Sequence, residues 1–184
     1  SVDTLVASGA TLTVDGSGLT VGQTLTWTGS AETNGRFNIT GGADADTIIG
    51  GTGGDTISGS GGSDSITSGS GNDILQYSSG LELSIDTKVD GGSGTDTLQF
   101  TTAGVTDLDD GDFVKVTNIE VVNFGNGNNV ATFGTNAASA AGNLSISGGN
   151  GNNTFDVSNL GEAATIMVGG GSDTIIGGTG GDTI

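Results

Sequence analysis

A nine-residue pattern that recurs in phase is the feature of this sequence that most limits what the chain can fold into. Four contiguous copies, GGADADTII, GGTGGDTIS, GSGGSDSIT and SGSGNDILQ, occupy residues 41–76, and a fifth, GGSGTDTLQ, stands alone at 91–99. Two more, VGGGSDTII and GGTGGDTI, occupy 168–184. The run DTIIGGTGGDTI occurs at 46–57 and again, unchanged, at 173–184. The chain is therefore expected to repeat one structural unit.

The composition of each nonapeptide predicts a turn followed by a short strand. Positions one to five are rich in glycine, which permits the positive φ angles of a tight turn. Position six is an aspartate, and position eight is a large apolar residue that we expect to be buried. A period of nine residues cannot keep one face of an α-helix in register, so a helical interpretation fails. The position-eight residues of the first five copies are Ile48, Ile57, Ile66, Leu75 and Leu98.

Stacking of the repeats predicts a divalent-cation site. If two nonapeptides form one coil, Asp46 lies near Asp64, and Asp55 lies near Asp73, at the strand spacing of about 4.8 Å. Neighbouring carboxylates repel, by about 1 kcal/mol in water and more in a shielded turn. Calcium fits such a site best, because it takes six to eight oxygen ligands from carboxylates and backbone carbonyls in flexible geometry.

These nonapeptides resemble the RTX, or hemolysin-type calcium-binding, repeat, in which glycines precede an aspartate and a large apolar residue. The resemblance covers about a third of the chain and implies an all-β fold, a right-handed parallel β-roll or β-helix solenoid with irregular coils between the repeat runs. It implies Ca²⁺ as the bound ion. The predicted metal-binding residues are Asp46, Asp55, Asp64, Asp73, Asp96, Asp173, Asp182, the turn glycines Gly41, Gly50, Gly53, Gly59, Gly61, Gly71, Gly94 and Gly180, and Asp44, which replaces a glycine in the first repeat.

Charge and composition exclude several classes of function. The chain has 21 acidic residues against three basic ones and a net charge of −18, so phosphate-backbone binding to nucleic acid and attraction to an anionic membrane are both excluded. It contains no cysteine and no histidine, which excludes thiolate and imidazole metal sites. The sequence shows no recognisable catalytic constellation, and we predict that the chain is not an enzyme. No apolar run approaches the length of a membrane span.

The repeats divide the chain into four predicted parts. Residues 1–40 alternate apolar and polar side chains and predict irregular β coils that lead into the roll, with Trp27 as a capping or core aromatic. The four contiguous nonapeptides follow at 41–76. Spacer coils at 77–147 contain the isolated repeat at 91–99. Degenerate and then strict repeats occupy 148–184, and the array ends in mid-repeat, as expected of a piece of a longer protein.

Several positions depart from the repeat consensus. Two weaker copies, FGNGNNVAT at 124–132 and GGNGNNTFD at 148–156, have asparagine at position six, and we expect weak or absent metal binding there. Asp86 and Asp90 are predicted to be solvated turn residues. In the acidic stretch that follows Thr106, Asp112 is predicted to be the N-cap of one short helical turn, with Phe113 and Val116 packing before a strand at 119–124.

Two functions are consistent with this pattern. The chain is predicted to be a calcium-binding structural module of a secreted cell-surface protein, of the S-layer or adhesin type, that folds on binding Ca²⁺ outside the cell. Long non-consensus coils between the repeats and the scarcity of lysine favour this hypothesis. The alternative is a C-terminal folding and secretion module of a type I-secreted enzyme such as a protease, lipase or epimerase. Calcium ions are the expected partners, with self-assembly or a cell-surface glycan as further candidates.

Overall fold

The computed structural model describes residues 6–184, so the first five residues of the predicted N-terminal part lie outside it. Its strands are short, as three-residue segments between glycine-rich turns must be. They are β1 (Thr11–Asp15), β2 (Thr26–Thr28), β3 (Arg36–Thr40), β4 (Thr47–Ile49), β5 (Thr56–Ser58), β6 (Ser65–Thr67), β7 (Ile74–Tyr77), β8 (Lys88–Asp90), β9 (Thr97–Phe100), β10 (Val116–Thr117), β11 (Val121–Asn123), β12 (Val130–Thr132), β13 (Leu144–Ser147), β14 (Thr154–Asp156), β15 (Ala164–Met167) and β16 (Thr174–Ile176).

Successive strands alternate between different sheets, and every pairing is parallel. The odd-numbered strands form one eight-stranded sheet in the order β1-β3-β5-β7-β9-β11-β13-β15. The even-numbered strands form a five-stranded sheet, β10-β8-β6-β4-β2, and a three-stranded sheet, β12-β14-β16. Parallel neighbours that are two elements apart in sequence are the mark of a solenoid. The predicted parallel β-roll is confirmed.

The register confirms that two nonapeptides make one coil. In the eight-stranded sheet Asn38 pairs with Thr56, which pairs in turn with Ile74, and each step is 18 residues. Thr47 pairs with Ser65 at the same spacing in the five-stranded sheet. Because the step is a whole number of repeats, equivalent residues of alternate nonapeptides lie side by side.

The core is a column of the position-eight side chains. Ile48, Ile57, Ile66, Leu75 and Leu98 are all completely buried, as predicted. Each is the second residue of its strand, and its two neighbours point outward, since successive residues of a strand face opposite sides. A column one or two residues wide is a thin core, and the turns must contribute to holding the coils together.

Wider coils begin after the fourth repeat and carry three short helices that the sequence analysis predicted only in part. The steps from Ile74 to Thr97 and from there to Val121 are 23 and 24 residues. The extra residues include α1 (Gly80–Ile85) and a 3-10 helix (Asp110–Lys115), and α2 (Thr135–Ala141) follows β12. None of these segments spans two full amphipathic turns, so α1 and α2 leave no helical periodicity in the sequence. Within residues 6–184 no helix has the length and apolarity needed to cross a membrane.

The prediction that Asp112 is the N-cap of the short helical turn is wrong by three residues. The N-cap is Asp109, whose carboxylate accepts the N–H of Gly111 at 2.7 Å. Asp112 closes a capping box by accepting the N–H of Asp109 at 2.9 Å. Phe113 and Val116 are buried, as predicted.

The two remaining acids of this stretch cap the other two helices. Asp107 accepts the N–H of Gly80 at 3.1 Å, at the start of α1. Asp110 accepts the N–H groups of Gly134 and Ala137 at 2.8 and 3.0 Å, at the start of α2. The acidic segment is therefore the structural link between three neighbouring helices, and its carboxylates are occupied by backbone donors.

Aromatic side chains widen the core in the second half of the chain. The ring of Phe124 stacks between those of Phe100 and Phe155, with centroid separations of 5.2 and 5.1 Å, and Phe133 packs edge-on against both Phe124 and Phe155. All four are buried. This part of the roll therefore buries more apolar area per coil than the contiguous nonapeptides do.

Truncating a position-eight side chain should be costly. We expect Ile57→Ala to lower the free energy of unfolding by about 2–5 kcal/mol, because it removes buried methyl groups and leaves a cavity. Urea unfolding in saturating calcium measures the change. Ile176→Ala is the matched control: Ile176 is also a strand residue but is 46% exposed. A similar loss for both variants would contradict the assignment of the core.

Candidate metal centre

Position six of the nonapeptides forms a ladder of carboxylates that joins successive coils. The Oδ1 atom of Asp46 accepts the N–H of Leu25 at 2.6 Å, and the Oδ1 atom of Asp64 accepts the N–H of Asp46 at 2.7 Å. Asp86 continues the ladder by accepting the N–H of Asp64 at 2.8 Å. Asp46 and Asp64 are thus neighbours, as the two-repeat coil requires.

The prediction that Asp86 is a solvated turn residue is wrong. Its side chain is 1% exposed, and its Oδ2 atom accepts the hydroxyl of buried Tyr77 at 2.6 Å. The sequence hid this role because α1 lengthens the coil, so that Asp86 is no longer in phase with the nonapeptides. Asp86 joins the ladder because it lies just before β8, although its distance in sequence from Asp64 is not a multiple of nine. Asp90, in contrast, is half-buried and forms a salt bridge with Lys88 at 3.0 Å.

A second ladder runs before the odd-numbered strands. Asp55 accepts the N–H of Phe37 at 2.8 Å, Asp73 that of Asp55 at 2.7 Å and Asp96 that of Asp73 at 2.8 Å. Glu120 ends the series by accepting the N–H of Asp96 at 2.8 Å. Glu120 was missed because no glycine-rich turn precedes it, although Val122, two residues later, is buried and pairs with the position-eight residue Leu98.

The second carboxylate oxygen of these aspartates faces its own turn, and in two of them it has no partner. Asp46 and Asp55 use their Oδ2 atoms to accept the N–H groups of Gly42 and Gly51, at 2.6 and 2.8 Å. The Oδ2 atoms of Asp73 and Asp96 are buried and accept no hydrogen bond within residues 6–184. The Ser68 hydroxyl lies close enough to Asp73 to lower its pKa, but it donates to the carbonyl oxygen of Gly91 at 2.6 Å. A buried carboxylate oxygen without a donor costs free energy, and a cation at the turn would compensate it.

Burial and mutual repulsion make the ladder carboxylates hard to ionise. Desolvation, followed by the charges of Asp86 and Asp46, raises the pKa of Asp64 to about 7. The same cause, loss of contact with water, raises the pKa of Asp86 and that of Asp96 to about 6. The pKa values of Asp55 and Asp73 are also raised, in the first place by desolvation. A divalent cation bound beside such carboxylates strongly stabilises their ionised form.

Glycine is required where the turns approach one another and the carboxylates. A Cβ atom on Gly50 would lie 2.6 Å from Asp55 Oδ2, and one on Gly91 would lie 2.9 Å from Asp96 Oδ2. Gly71 has a φ of 125°, and a Cβ there would lie 2.7 Å from the carbonyl oxygen of Gly53 in the coil below. A side chain at these positions would fill the space beside the carboxylates that an ion needs.

Backbone oxygens must supply most of the ligands of any bound ion. No cluster of three or more acidic side chains converges on one point in residues 6–184. Carbonyl-rich coordination with one or two carboxylates suits calcium, whereas magnesium demands a tighter octahedron and zinc prefers nitrogen and sulfur. The donor set therefore fits Ca²⁺. As individual ligands, the predicted aspartates and glycines remain predictions.

The structure places the other predicted site residues at different points of the roll. Asp173 accepts the N–H of Asn153 at 2.9 Å and ends a third ladder, and Asp182 accepts the N–H of Ala164 at 3.0 Å. Both are half-buried. Asp44 is also half-buried and accepts the N–H of Gly22 in the preceding coil, which gives its carboxylate a structural partner.

Glu32 is a buried acid that the sequence analysis did not identify. It is 2% exposed and accepts the N–H groups of Val6 and Gly35 at 3.0 and 2.9 Å. Its charge also contributes to the raised pKa of Asp55. No glycine-rich nonapeptide surrounds it, so the sequence carried no signal of its burial.

Comparison with known proteins gives one family. The model of the RTX calcium-binding nonapeptide repeat matches four copies, over residues 40–75 and 164–184. RTX nonapeptide repeats bind Ca²⁺. The copies at 91–99, 124–132 and 148–156 lie outside the matched ranges. No curated protein and no solved structure matches the chain.

Replacing one ladder carboxylate should remove bound calcium. We expect Asp73→Asn to bind at least one Ca²⁺ fewer than the wild type at saturation, because it keeps the acceptor for the N–H of Asp55 but loses the charge. Isothermal titration calorimetry gives the number bound. Asp15→Asn is the control, since Asp15 is exposed and bonded to Ser17 in its own turn. An unchanged number in Asp73→Asn would argue against this ladder as the binding site.

Proposed function

Because this chain carries RTX calcium-binding nonapeptide repeats, we propose that it is a structural module of a secreted cell-surface protein, of the S-layer or adhesin type, that folds on binding Ca²⁺ outside the cell. The observation that carries the proposal is the buried carboxylate ladder, with the unpartnered Oδ2 atoms of Asp73 and Asp96. A ladder of this kind is poorly stable without cations, and the interior of a cell is poor in free calcium.

The balance of free energies supports coupling of folding to calcium. Each coil of the contiguous repeats buries only two position-eight side chains, so the apolar surface removed from water is small. The free-energy cost of ordering the backbone of the whole coil opposes folding. Hydrogen bonds between coils recover only part of this, and stacked carboxylates oppose it. An ion bound only by the folded turns shifts the equilibrium toward the folded state.

The architecture supports a structural role. The core column runs through the wide coils without interruption, and the three short helices are attached to it by the caps of the acidic segment. Nearly all the described carboxylates accept backbone N–H groups, in ladders, at helix ends or in exposed turns. RTX repeats themselves are structural calcium-binding units. A roll that folds only where calcium is plentiful suits a protein of the cell surface.

Calcium should convert the chain from coil to β structure. We expect a cooperative transition in far-UV circular dichroism at about 0.1–1 mM Ca²⁺, the range of extracellular calcium modules. Magnesium at the same concentration should leave the spectrum unchanged, since it gives up its water ligands reluctantly. A β-rich spectrum that is the same in chelator and in calcium would refute calcium-coupled folding.

Location separates the proposed function from the alternative. In cultures of the organism that makes the protein, we expect the parent protein in the cell-surface fraction, released by a calcium chelator and degraded by protease added to intact cells. An internal cytoplasmic protein serves as the control for lysis. Recovery of the parent protein only from the medium, together with a hydrolytic activity, would favour a secretion module of an enzyme instead.

A further inference from the structure

In the two nonapeptides with asparagine at position six, the side chain itself binds the carbonyl oxygens of the turn. The Nδ2 atom of Asn129 donates to the carbonyl oxygens of Gly125, Gly127 and Gly148, at 3.0, 3.2 and 3.0 Å. It also donates to the Oδ1 atom of Asn153 at 2.9 Å. Four oxygen atoms from two coils thus surround one nitrogen and share its two hydrogens, and Asn129 is completely buried.

The next asparagine repeats the arrangement. The Nδ2 atom of Asn153 donates to the carbonyl oxygens of Gly149 and Gly151, at 3.4 and 3.2 Å, and to the Oδ1 atom of Asp173 at 3.1 Å. The two glycines hold positions two and four of their nonapeptide, the same positions that Gly125 and Gly127 hold in theirs. The contact is therefore a property of the repeat and recurs one coil later.

The ladder bond itself is the same as in the aspartate turns. The Oδ1 atom of Asn129 accepts the N–H of Val105 at 3.0 Å, and that of Asn153 accepts the N–H of Asn129 at 3.2 Å. The difference lies in the second atom of the side chain. In Asp73 and Asp96 it is a buried acceptor without a donor, whereas in the asparagines it is a donor that satisfies the turn carbonyls.

An amide nitrogen at this point leaves no role for a cation. The partial positive charge of its hydrogens faces the oxygens that would otherwise coordinate the ion, and these hydrogens occupy the space between the oxygens. Stacked amides also carry no net charge, so these turns lack the repulsion that stacked carboxylates suffer. Exposed asparagines add further bonds between the same coils: Asn128 accepts the N–H of Asn152 at 2.8 Å, and Asn126 that of Asn150 at 2.9 Å.

We propose that Asn129 and Asn153 replace calcium with their own amide groups, and that they keep the section around residues 121–157 folded at calcium concentrations at which residues 41–76 are unfolded. The inference rests on the proposed function, because it contrasts these turns with calcium-dependent ones. The section has the core to sustain itself: Phe124, Phe133 and Phe155 pack together there, and α2 lies alongside. Position six thus decides whether a turn needs metal.

Hydrogen exchange of the wild-type chain in calcium chelator tests the proposal directly. The amide of Thr154, which donates to Asn129 O at 2.8 Å, should exchange at least about tenfold more slowly than that of Ser65, which donates to Asp46 O at 2.9 Å. Added calcium should slow exchange at Ser65 far more than at Thr154. Equally fast exchange at both amides in chelator would overturn the proposal.

A charge-introducing variant tests the role of the amide. Asn129→Asp keeps the ladder acceptor but removes the donor, so it should bind one Ca²⁺ more than the wild type and exchange at least about tenfold faster at Thr154 in chelator, with calcium restoring protection. Asn128→Asp is the matched control: it adds the same charge to the same turn at an exposed position, and should change neither quantity. No gain of calcium in Asn129→Asp, with protection intact in chelator, would overturn the assignment.

The two tests separate this proposal from the proposed function. If the wild type binds no calcium and is fully protected in chelator, calcium-coupled folding fails, and the contrast between the two kinds of turn is overturned with it. If the wild type binds calcium but Thr154 and Ser65 lose protection together in chelator, calcium-coupled folding stands and only the asparagine proposal fails. Slow exchange at Thr154 with fast exchange at Ser65 supports both.

Discussion

The hydrogen bond from a backbone N–H to the position-six side chain of the next coil is the interaction on which this roll depends. It fixes the distance and register between coils at every turn for which a ladder is seen, from Asp46 and Asp64 to Asn129 and Asn153. A strand of three residues cannot specify register by itself, because it has one inward-facing side chain and few ladder bonds. The side-chain bond outside the strand supplies the missing constraint.

Two versions of one turn follow from the choice of side chain at that position. An aspartate and an asparagine accept the same N–H group, so the geometry of the coil is unchanged. They differ in what they present to the glycine carbonyls: a second acceptor with a charge, or a donor without one. Stacked aspartates repel one another, and a bound calcium ion offsets this repulsion. Stacked asparagines carry no charge and do not repel one another in this way. A solenoid can therefore vary its calcium requirement along its length without a change of backbone.

Prediction from the sequence succeeded where the burial of a residue follows from its place in the nonapeptide. Ile57 and Leu75 were predicted to be buried, and both are completely buried. Their fixed distance from the preceding turn places their side chains on the inner side of the strand. Prediction failed at Asp86, and it missed the burial of Glu32 and the ladder position of Glu120, because all three depend on residues distant in sequence. It also failed for α1 and α2, because helices of six and seven residues leave no periodic signal and because Asp107 and Asp110, which bind their first N–H groups, lie in another coil.

The sequence by itself determined a repeated unit of turn and strand and the residue types that meet in each turn, because glycine, aspartate and isoleucine recur in fixed places with a period of nine. Its resemblance to the RTX repeat implied the solenoid. Only the tertiary structure decided which acids outside the repeats join the ladders, and which carboxylates are occupied as helix caps. It also decided that the asparagine amides lie among the turn carbonyls. The physical reason is that these contacts join residues some 20 or more positions apart, and such distances are set by the stacking of coils.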